Sequence, residues 1–147
     1  ANAKPEDNLV LIGSEPQIYF YTNKTCPSRY AYFTALVNNT PEHKAMQREF
    51  VADVEKAKPK YLVYFNHPIS LLVQPNTDKY IFDWAYKYFN DYYNVVGIAD
   101  MIDGQPTKYL WREQVAGYKP VSQNVIYTFE RKPEPAPTSA LTPETNK

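Results

Sequence analysis

This sequence has few glycines, a single cysteine and no net charge. Its 147 residues include four glycines and one cysteine, and 16 basic residues balance 16 acidic ones. With so few glycines, the phosphate-binding spacings GxGxxG and GxxxxGK[ST] do not occur, which argues against a nucleotide site. The single cysteine, Cys26, excludes an internal disulfide. A neutral chain also lacks the clustered positive charge that attracts nucleic acid, so we expect no nucleic-acid partner.

Long hydrophobic runs and convergent metal ligands are missing as well. No apolar run reaches the roughly 18–20 residues that span a bilayer, and no signal peptide opens the chain, so we expect the chain itself to be soluble. The two histidines, His43 and His67, have no acidic residue or cysteine at a metal-ligand spacing. The sequence therefore predicts no metal and no cofactor. His43 falls in the first turn of a predicted helix, where we expect it to be solvated.

Aromatic residues and prolines are abundant instead. Tyrosine occurs 14 times, phenylalanine seven times, tryptophan twice and proline 13 times. Tyrosine is amphipathic, so a surplus suits a core boundary, an interface or a surface that stacks on a ligand. The apolar fraction of 44% and the charged fraction of 22% are typical of a globular protein, and this length suits one domain with its own core.

Alternating strand and helix patterns predict one α/β domain over residues 8–132. We expect buried strands at 9–12, 60–65 and 95–100, with helices at 41–57 and 78–93 between them. This alternation is typical of a parallel sheet. The sequence therefore predicts a three-layer α/β fold with a mainly parallel central sheet and helices on both faces.

Three shorter segments add further strands to this prediction. Residues 18–21 are β-prone, as are 109–111 and 124–130. In the last of these, apolar residues alternate with less apolar ones, so we expect this strand at an edge of the sheet. Residues 133–147 are proline-rich and aperiodic, which predicts a disordered tail. Residues 1–7 are polar and are predicted to be a flexible N-terminus, similar to a tag remnant.

The loop after the first strand is the first candidate site. Ligands of open α/β sheets bind beyond the carboxyl ends of strands, which makes Gly13, Ser14 and Glu15 candidates for binding or docking. The alternative is that these residues only turn the chain. His67 also follows a strand end and is the better functional candidate of the two histidines.

Two neighbouring residues late in the chain form a second candidate. Trp111 offers a ring that stacks on a sugar, and Arg112 offers donors for its hydroxyl groups. The alternative is that both residues close the edge of the sheet. Asp100 and Asp103 flank a strand end, and we expect them to cap a turn rather than act as an acid–base pair. No nucleophile, base and orienting group can be placed together, so we predict no catalytic residue and no turnover by this chain alone.

Several segments of the chain resemble a known family. They are Leu-Val-Leu-Ile-Gly-Ser-Glu-Pro-Gln-Ile-Tyr-Phe-Tyr at 9–21, Ser-Arg-Tyr-Ala-Tyr at 28–32, Pro-Lys-Tyr-Leu-Val at 59–63, Ile-Phe-Asp-Trp at 81–84, Tyr-Tyr-Asn-Val-Val-Gly at 92–97 and Val-Ile-Tyr-Thr-Phe-Glu-Arg at 125–131. Together they resemble the segment after the last membrane span of bacterial multi-pass glycosyltransferases, which are similar to protein O-mannosyltransferases and lipid A aminoarabinose transferases. The insert at 24–27 departs from that pattern, which leaves a shared role of this loop open.

The resemblance implies a parent enzyme that transfers a sugar from a polyprenyl-phosphate carrier to an acceptor. In that family the catalytic carboxylates lie in loops between early membrane spans, so no catalytic residue is carried over to this chain. The resemblance implies a non-catalytic C-terminal domain on the periplasmic face of the inner membrane. Its partners would be its own transmembrane region and a glycan or protein acceptor, with the domain shaping the acceptor entrance or docking a partner.

Two other functions remain open at this point. One is a free-standing α/β small-molecule-binding protein or enzyme, which the scarcity of glycine disfavours. The other is a protein-interaction module.

Overall fold

The computed structural model describes residues 3–134, and its elements alternate between strands and helices in the first two-thirds of the chain. In chain order they are β1 (Leu9–Ile12), α1 (Gln17–Thr22), α2 (Thr34–Val37), α3 (His43–Ala57), β2 (Tyr61–Asn66), α4 (Pro68–Leu71), α5 (Tyr80–Tyr92), β3 (Tyr93–Asp100), β4 (Lys108–Trp111), a 3₁₀ helix (Arg112–Val115) and β5 (Val125–Arg131). The two long predicted helices and the three predicted buried strands are confirmed to within a few residues. The predicted tail lies almost entirely outside the described residues, as do the first two residues of the predicted flexible N-terminus.

The sheet is mixed, and the prediction of a mainly parallel sheet is wrong. Its strand order is β1-β2-β5-β3-β4. Only β1 and β2 pair in parallel, whereas the β2–β5, β3–β5 and β3–β4 pairs are antiparallel. Strands β1, β2 and β3 do run in the same direction, as the alternation with helices predicts. However, β5 inserts between β2 and β3 and converts what would be a parallel neighbour pair into two antiparallel ones.

The position of β5 also corrects the prediction of an edge strand. β5 pairs along its whole length with β2 on one side and with β3 on the other. Its alternating pattern has a different cause. Val125, Tyr127 and Phe129 point to the face that carries the long helices, whereas Thr128 and Glu130 point to the opposite face, which is only partly covered. The alternation of apolar and polar residues in β5 therefore arises because one face of the sheet is only partly covered, and not because β5 is an edge strand.

The helices are distributed unequally between the faces, which corrects the predicted three-layer arrangement. We call the face that carries α2, α3, α4 and α5 the helical face. There Phe50 and Val54 of α3 and Ile81 of α5 are fully buried against the sheet. We call the opposite face the open face. Within residues 3–134 its α-helical cover is the short helix α1, whose Tyr19 packs against β1 and β2, and the 3₁₀ helix lies near Trp111.

The segment at 17–22 is a helix and not the predicted strand. Its β-prone residues divide into two inward-facing ones, Ile18 and Tyr19, and two exposed ones, Phe20 and Tyr21. The backbone N–H of Leu11 donates to the Tyr19 hydroxyl at 2.9 Å. Helix α1 thus places a phenol against β1, the edge strand of the sheet, and satisfies one of its donors, which protects the edge.

The two ends of the sheet have different neighbours. Strands β1, β2 and β3 start at one end, which we call the lower end, and finish at the upper end. Helices α3 and α5 finish at the lower end, just before β2 and β3 begin. The loop after β1 and helix α4 after β2 both lie at the upper end. This division decides which candidate residues come together.

Candidate functional site

The loop Gly13–Glu15 lies at the upper end and is bonded to the domain. The backbone N–H of Ser14 donates to Ser70 Oγ at 3.1 Å, and the Ser70 hydroxyl donates to Glu15 Oε2 at 2.7 Å. The hydroxyls of Ser14 and Thr34 lie 2.8 Å apart. A Cβ added to Gly13 would lie 2.7 Å from Ser70 Oγ and 2.6 Å from Glu15 Oε2. The absence of a side chain at Gly13 therefore lets this network close.

His67 lies close to this loop in the fold. It precedes α4, and its Nδ1 accepts a hydrogen bond from the backbone N–H of Ile69 at 3.2 Å. This is the bond by which a side chain caps the start of a helix. His67 also lines a small hollow of about 370 Å³ together with Asn66 and Asn124. Because Ser70 of α4 bonds to the Gly13–Glu15 loop, the structure brings these two predicted candidates to the same end of the sheet.

Trp111 lies on the open face and belongs to β4, the edge strand on the other side of the sheet from β1. A Cβ added to Gly97 would lie 2.5 Å from Trp111 Cζ3 and 2.6 Å from Cε3. The indole ring therefore occupies the space that a side chain of β3 would fill and rests against the sheet, while 37% of the residue stays exposed. A glycine at 97 is thus a packing requirement of the tryptophan opposite it in the β3–β4 pair.

Trp111 forms one wall of a groove of about 700 Å³, which we call the Trp111 groove. Its lining includes Leu9, Ile18, Tyr21, Val63, Trp111 and Thr128. Helix α1 supplies the opposite wall, and 79% of Tyr21 is exposed. The lining is mostly apolar, with aromatic rings, a few hydroxyls and the charged side chain of Lys24. A groove of this size and character is typical of a small-ligand site.

Arg112 forms a charged pair beside the Trp111 ring, although neither member of the pair lines the groove itself. The φ of 52° at Arg112 is in the left-handed region, which non-glycine residues seldom adopt. This turn brings its guanidinium 5.8 Å from the Trp111 ring centre and within 3.1 Å of Glu130 Oε2. The other oxygen of Glu130 accepts from the Tyr61 hydroxyl at 3.2 Å. The arrangement therefore sets an apolar ring beside donors and acceptors that a sugar hydroxyl group can use.

The predicted candidates therefore form two groups and not one. Gly13, Ser14, Glu15 and His67 lie at the upper end, next to β1 and β2. Trp111 and Arg112 belong to β4 and the turn after it, at the opposite edge of the sheet. His67 of the first group and Trp111 of the second line different hollows of the described structure.

Asp100 holds a distant loop rather than the turn at its own strand end, which differs in place from the predicted cap. Its fully buried carboxylate accepts hydrogen bonds from the Val121 N–H at 2.7 Å, the Tyr118 hydroxyl at 2.8 Å and the Ser122 N–H at 3.1 Å. Burial raises the pKa of Asp100, but these hydrogen bonds and the nearby Lys108 outweigh it and hold the pKa below its ordinary value. Asp100 thus clamps the loop that leads into β5, as a capping residue does.

His43 is buried, and the prediction that it is solvated is wrong. Only 7% of the residue is exposed. Its Nδ1 lies within hydrogen-bond distance of the Thr40 carbonyl oxygen, and its Nε2 lies 3.8 Å from an Asp78 oxygen. The ring therefore joins the start of α3 to the start of α5. Helix packing, which a first-turn position alone does not reveal, decides this burial.

A second pocket, of about 700 Å³, involves residues that sequence reasoning did not single out. We call it the Arg131 pocket, and its lining includes Glu55, Lys58, Tyr88, Tyr92, Arg131 and Lys132. It lies on the helical face at the lower end, where α3 and α5 finish. The sequence pattern assigns Tyr88 and Tyr92 to the apolar stripe of α5. It assigns Arg131 to the end of a strand. Nothing in the local pattern indicates that three elements meet around this arginine.

No metal-binding cluster or membrane span is present between residues 3 and 134. No three His, Cys, Asp or Glu residues in this range converge on a point where a metal ion could sit. No helix in the same range is long and apolar enough to cross a bilayer. The chain matched no family model, no curated protein and no solved structure in the three comparisons.

Proposed function

We propose that this chain is a non-catalytic accessory domain of an integral-membrane glycosyltransferase that uses a polyprenyl-phosphate-linked sugar donor. In this proposal the domain lies on the periplasmic face of the inner membrane, and the Trp111 groove holds a sugar of the acceptor. The domain would shape the acceptor entrance. The resemblance of the segments at 9–21, 59–63 and 125–131 supports the assignment to such a parent, and the geometry of the open face supports the role within it.

The observation that carries the proposal is the support of the Trp111 ring by Gly97. A sugar presents a weakly polar face of C–H groups and a rim of hydroxyls, so a fixed aromatic ring beside polar groups is complementary to it. Trp111 is fixed because it fills the space above Gly97. The Arg112–Glu130 pair lies beside it, and the Thr128 side chain lies within the groove. A ring that is ordered before binding lowers the entropy cost of association.

The matched test compares two exposed aromatic residues in the full-length parent. Trp111→Ala should lower sugar transfer in membranes by about two- to tenfold at unchanged protein abundance, since one stacking contact contributes roughly 0.5–1.5 kcal/mol. Tyr86→Ala is the control, because Tyr86 lies on α5 and is 76% exposed. Equal transfer by both variants would refute the role of the groove. A parallel fall of transfer and abundance for Trp111→Ala alone would assign Trp111 to folding.

One observation favours a second candidate, an interaction module. Phe20 of α1 is 83% exposed, and its ring packs edge-on against that of Tyr21 at 5.7 Å between centroids. Exposed aromatic pairs of this kind are typical of protein interfaces. Phe20→Ser separates the two candidates, because Phe20 is exposed on α1 while Trp111 lines the groove. Loss of function in Phe20→Ser with normal function in Trp111→Ala would favour the interaction module.

A further inference from the structure

The Arg131 pocket is built around a cation enclosed by tyrosines. The Arg131 guanidinium lies 5.2 Å from the ring centre of Tyr92, 5.5 Å from that of Tyr93 and 6.0 Å from that of Tyr88. Its Nη1 atom donates to the Tyr88 hydroxyl at 3.1 Å and to the Tyr93 hydroxyl at 3.4 Å. These contacts fix the guanidinium plane at the wall of the pocket.

Half of this guanidinium is left without a hydrogen-bond acceptor. Arginine carries five N–H donors, and both hydrogen bonds of Arg131 come from Nη1. Within the described part of the chain, Nη2 and Nε of Arg131 make no hydrogen bond, and Arg131 forms no ion pair with a carboxylate. The Nη2–Nε edge is one of the two edges with which arginine binds an oxyanion through two parallel hydrogen bonds.

Each carboxylate around the pocket has a closer partner than Arg131, and in one case that partner is Lys58 of the pocket itself. Glu134 pairs with Lys58 at 2.6 Å, and Glu55 accepts from the indole N–H of Trp84 at 2.8 Å. Asp91 pairs with Lys87.

Lys132 meets the helix end rather than an acid. Its ammonium donates to the carbonyl oxygens of Asn90 at 2.7 Å and Asp91 at 3.1 Å. This bond offsets the negative end of α5, which would otherwise repel an anion. Lys132 therefore has no acidic partner among the described residues, and Arg131 has no carboxylate within ion-pair distance there. Glu134 nevertheless lies near enough for Arg131 to help lower the pKa of its carboxyl.

We propose that the Arg131 pocket binds a small organic phosphate. The phosphate oxygens accept from Nη2 and Nε of Arg131, and the ammonium groups of Lys58 and Lys132 lie around the same pocket. Tyr92, which is 47% exposed, offers a ring against which the organic part packs. This inference stands apart from the proposed function, because it concerns the helical face and not the open one.

The test is a nuclear magnetic resonance titration of the ¹⁵N-labelled chain with inorganic phosphate and with glucose 1-phosphate. We expect saturable shifts of the Arg131 Nε–H signal and of the backbone amides at 131–133, with tighter binding of glucose 1-phosphate. Sodium chloride and acetate at equal ionic strength should produce no saturable shift. Shifts of the same size with chloride, or no shift with either phosphate, would overturn the proposal.

Three variants test whether phosphate binding depends on Arg131. Arg131→Gln should weaken binding by about tenfold or more, because it removes a charge-assisted pair of hydrogen bonds. Arg29→Gln is the control: Arg29 also lies beside a tyrosine ring, at 5.0 Å from Tyr30, but it is paired with Glu49 away from the pocket. If Arg131→Gln does not fold, Arg131→Lys keeps the charge and should lose the bidentate contact with a similar fall in affinity. Unchanged affinity in a folded Arg131 variant would contradict the site.

A second experiment distinguishes binding of a soluble phosphate compound from binding of a lipid headgroup. Sedimentation with phosphatidylcholine vesicles, with and without phosphatidylglycerol, measures headgroup binding. Binding of glucose 1-phosphate without vesicle binding supports the proposal as stated. Arg131-dependent binding to the anionic vesicles alone would overturn the small-ligand assignment in favour of a headgroup.

Discussion

The two faces of the sheet differ in what their aromatic residues do. On the helical face, Phe33 and Phe50 are buried, and their rings meet edge-on at 6.5 Å in the main core. On the open face, Tyr19 and Tyr61 belong to a smaller core, whereas Trp111 and Tyr21 line a groove. Aromatic residues thus contribute to the main core on one side and line a partly exposed groove on the other. The following changes test that division.

The largest expected effect is on the helical face. Phe50→Ala should lower the free energy of unfolding by about 3–5 kcal/mol, because Phe50 is fully buried and its removal leaves a cavity. Urea denaturation followed by circular dichroism measures this loss. A loss below about 1 kcal/mol would mean that the core on this face is much looser than the packing of α3 indicates.

A substitution at Asp100 tests how the segment at 118–122, before β5, is held in place. Asp100→Asn should cost roughly 1.5–3 kcal/mol, because asparagine lacks the charge and replaces one of the two acceptor oxygens with an NH2 donor.

The same substitution has a pH signature. The folded-state pKa of Asp100 lies below its ordinary value, so its contribution to stability is present above that ordinary value and is lost as the pH falls through the folded-state pKa. The stability difference between the natural chain and Asp100→Asn should therefore be larger at pH 7 than in acid. A difference that does not change with pH would show that the carboxylate charge is unimportant.

Gly97→Ala tests whether the position of the Trp111 ring on the open face depends on Gly97. The new methyl group would overlap the Trp111 ring at 2.5 Å, so the ring must move outward. Because Trp111 is partly exposed and can move, we expect a cost of only about 1 kcal/mol in unfolding free energy. The indole signal of Trp111 should shift strongly while that of Trp84 does not. An unchanged Trp111 signal would mean that the ring does not depend on Gly97.

The smallest effect is expected in the loop after β1. Ser14→Ala removes one hydroxyl contact with Thr34 and should cost about 0.5–1 kcal/mol. Because the side chains of Ser14 and Glu15 bond within the domain, we expect stability and any sugar transfer to fall together in this variant and in Glu15→Ala. Lower transfer at unchanged stability and abundance would instead restore this loop as a docking site.

The sequence predicts the local elements better than their arrangement. The apolar stripe of Phe50 and Val54 predicts α3, and the run at 60–65 predicts β2, because periodicity and burial are local properties. The place of β5 between β2 and β3 is decided by long-range pairing, about which an alternating pattern carries no information. The β-prone run at 18–21 is helical in the structure, because packing of Tyr19 against an edge strand overrides β propensity. Propensity alone therefore does not predict this segment.

The candidate sites show the same limit. Trp111 and Arg112 are recognisable from their residue types, but Gly97, which supports the ring, is 14 positions away and reads as an interruption of a strand. Arg131 is unremarkable in the sequence, because the tyrosines around it come from α5 and from the start of β3. A site made by side chains of several elements is not visible until their pairing is known.

The most direct test of the central claim is a titration of the two indole N–H signals with a mannose oligosaccharide. Trp84 serves as an internal reference, because its N–H is bonded to Glu55 on the helical face. We expect a saturable shift of the Trp111 signal that Arg112→Ala weakens and Tyr86→Ala leaves unchanged, with the Trp84 signal constant. Equal shifts of both signals, or none up to high millimolar sugar, would contradict the assignment of the open face as a sugar-binding surface.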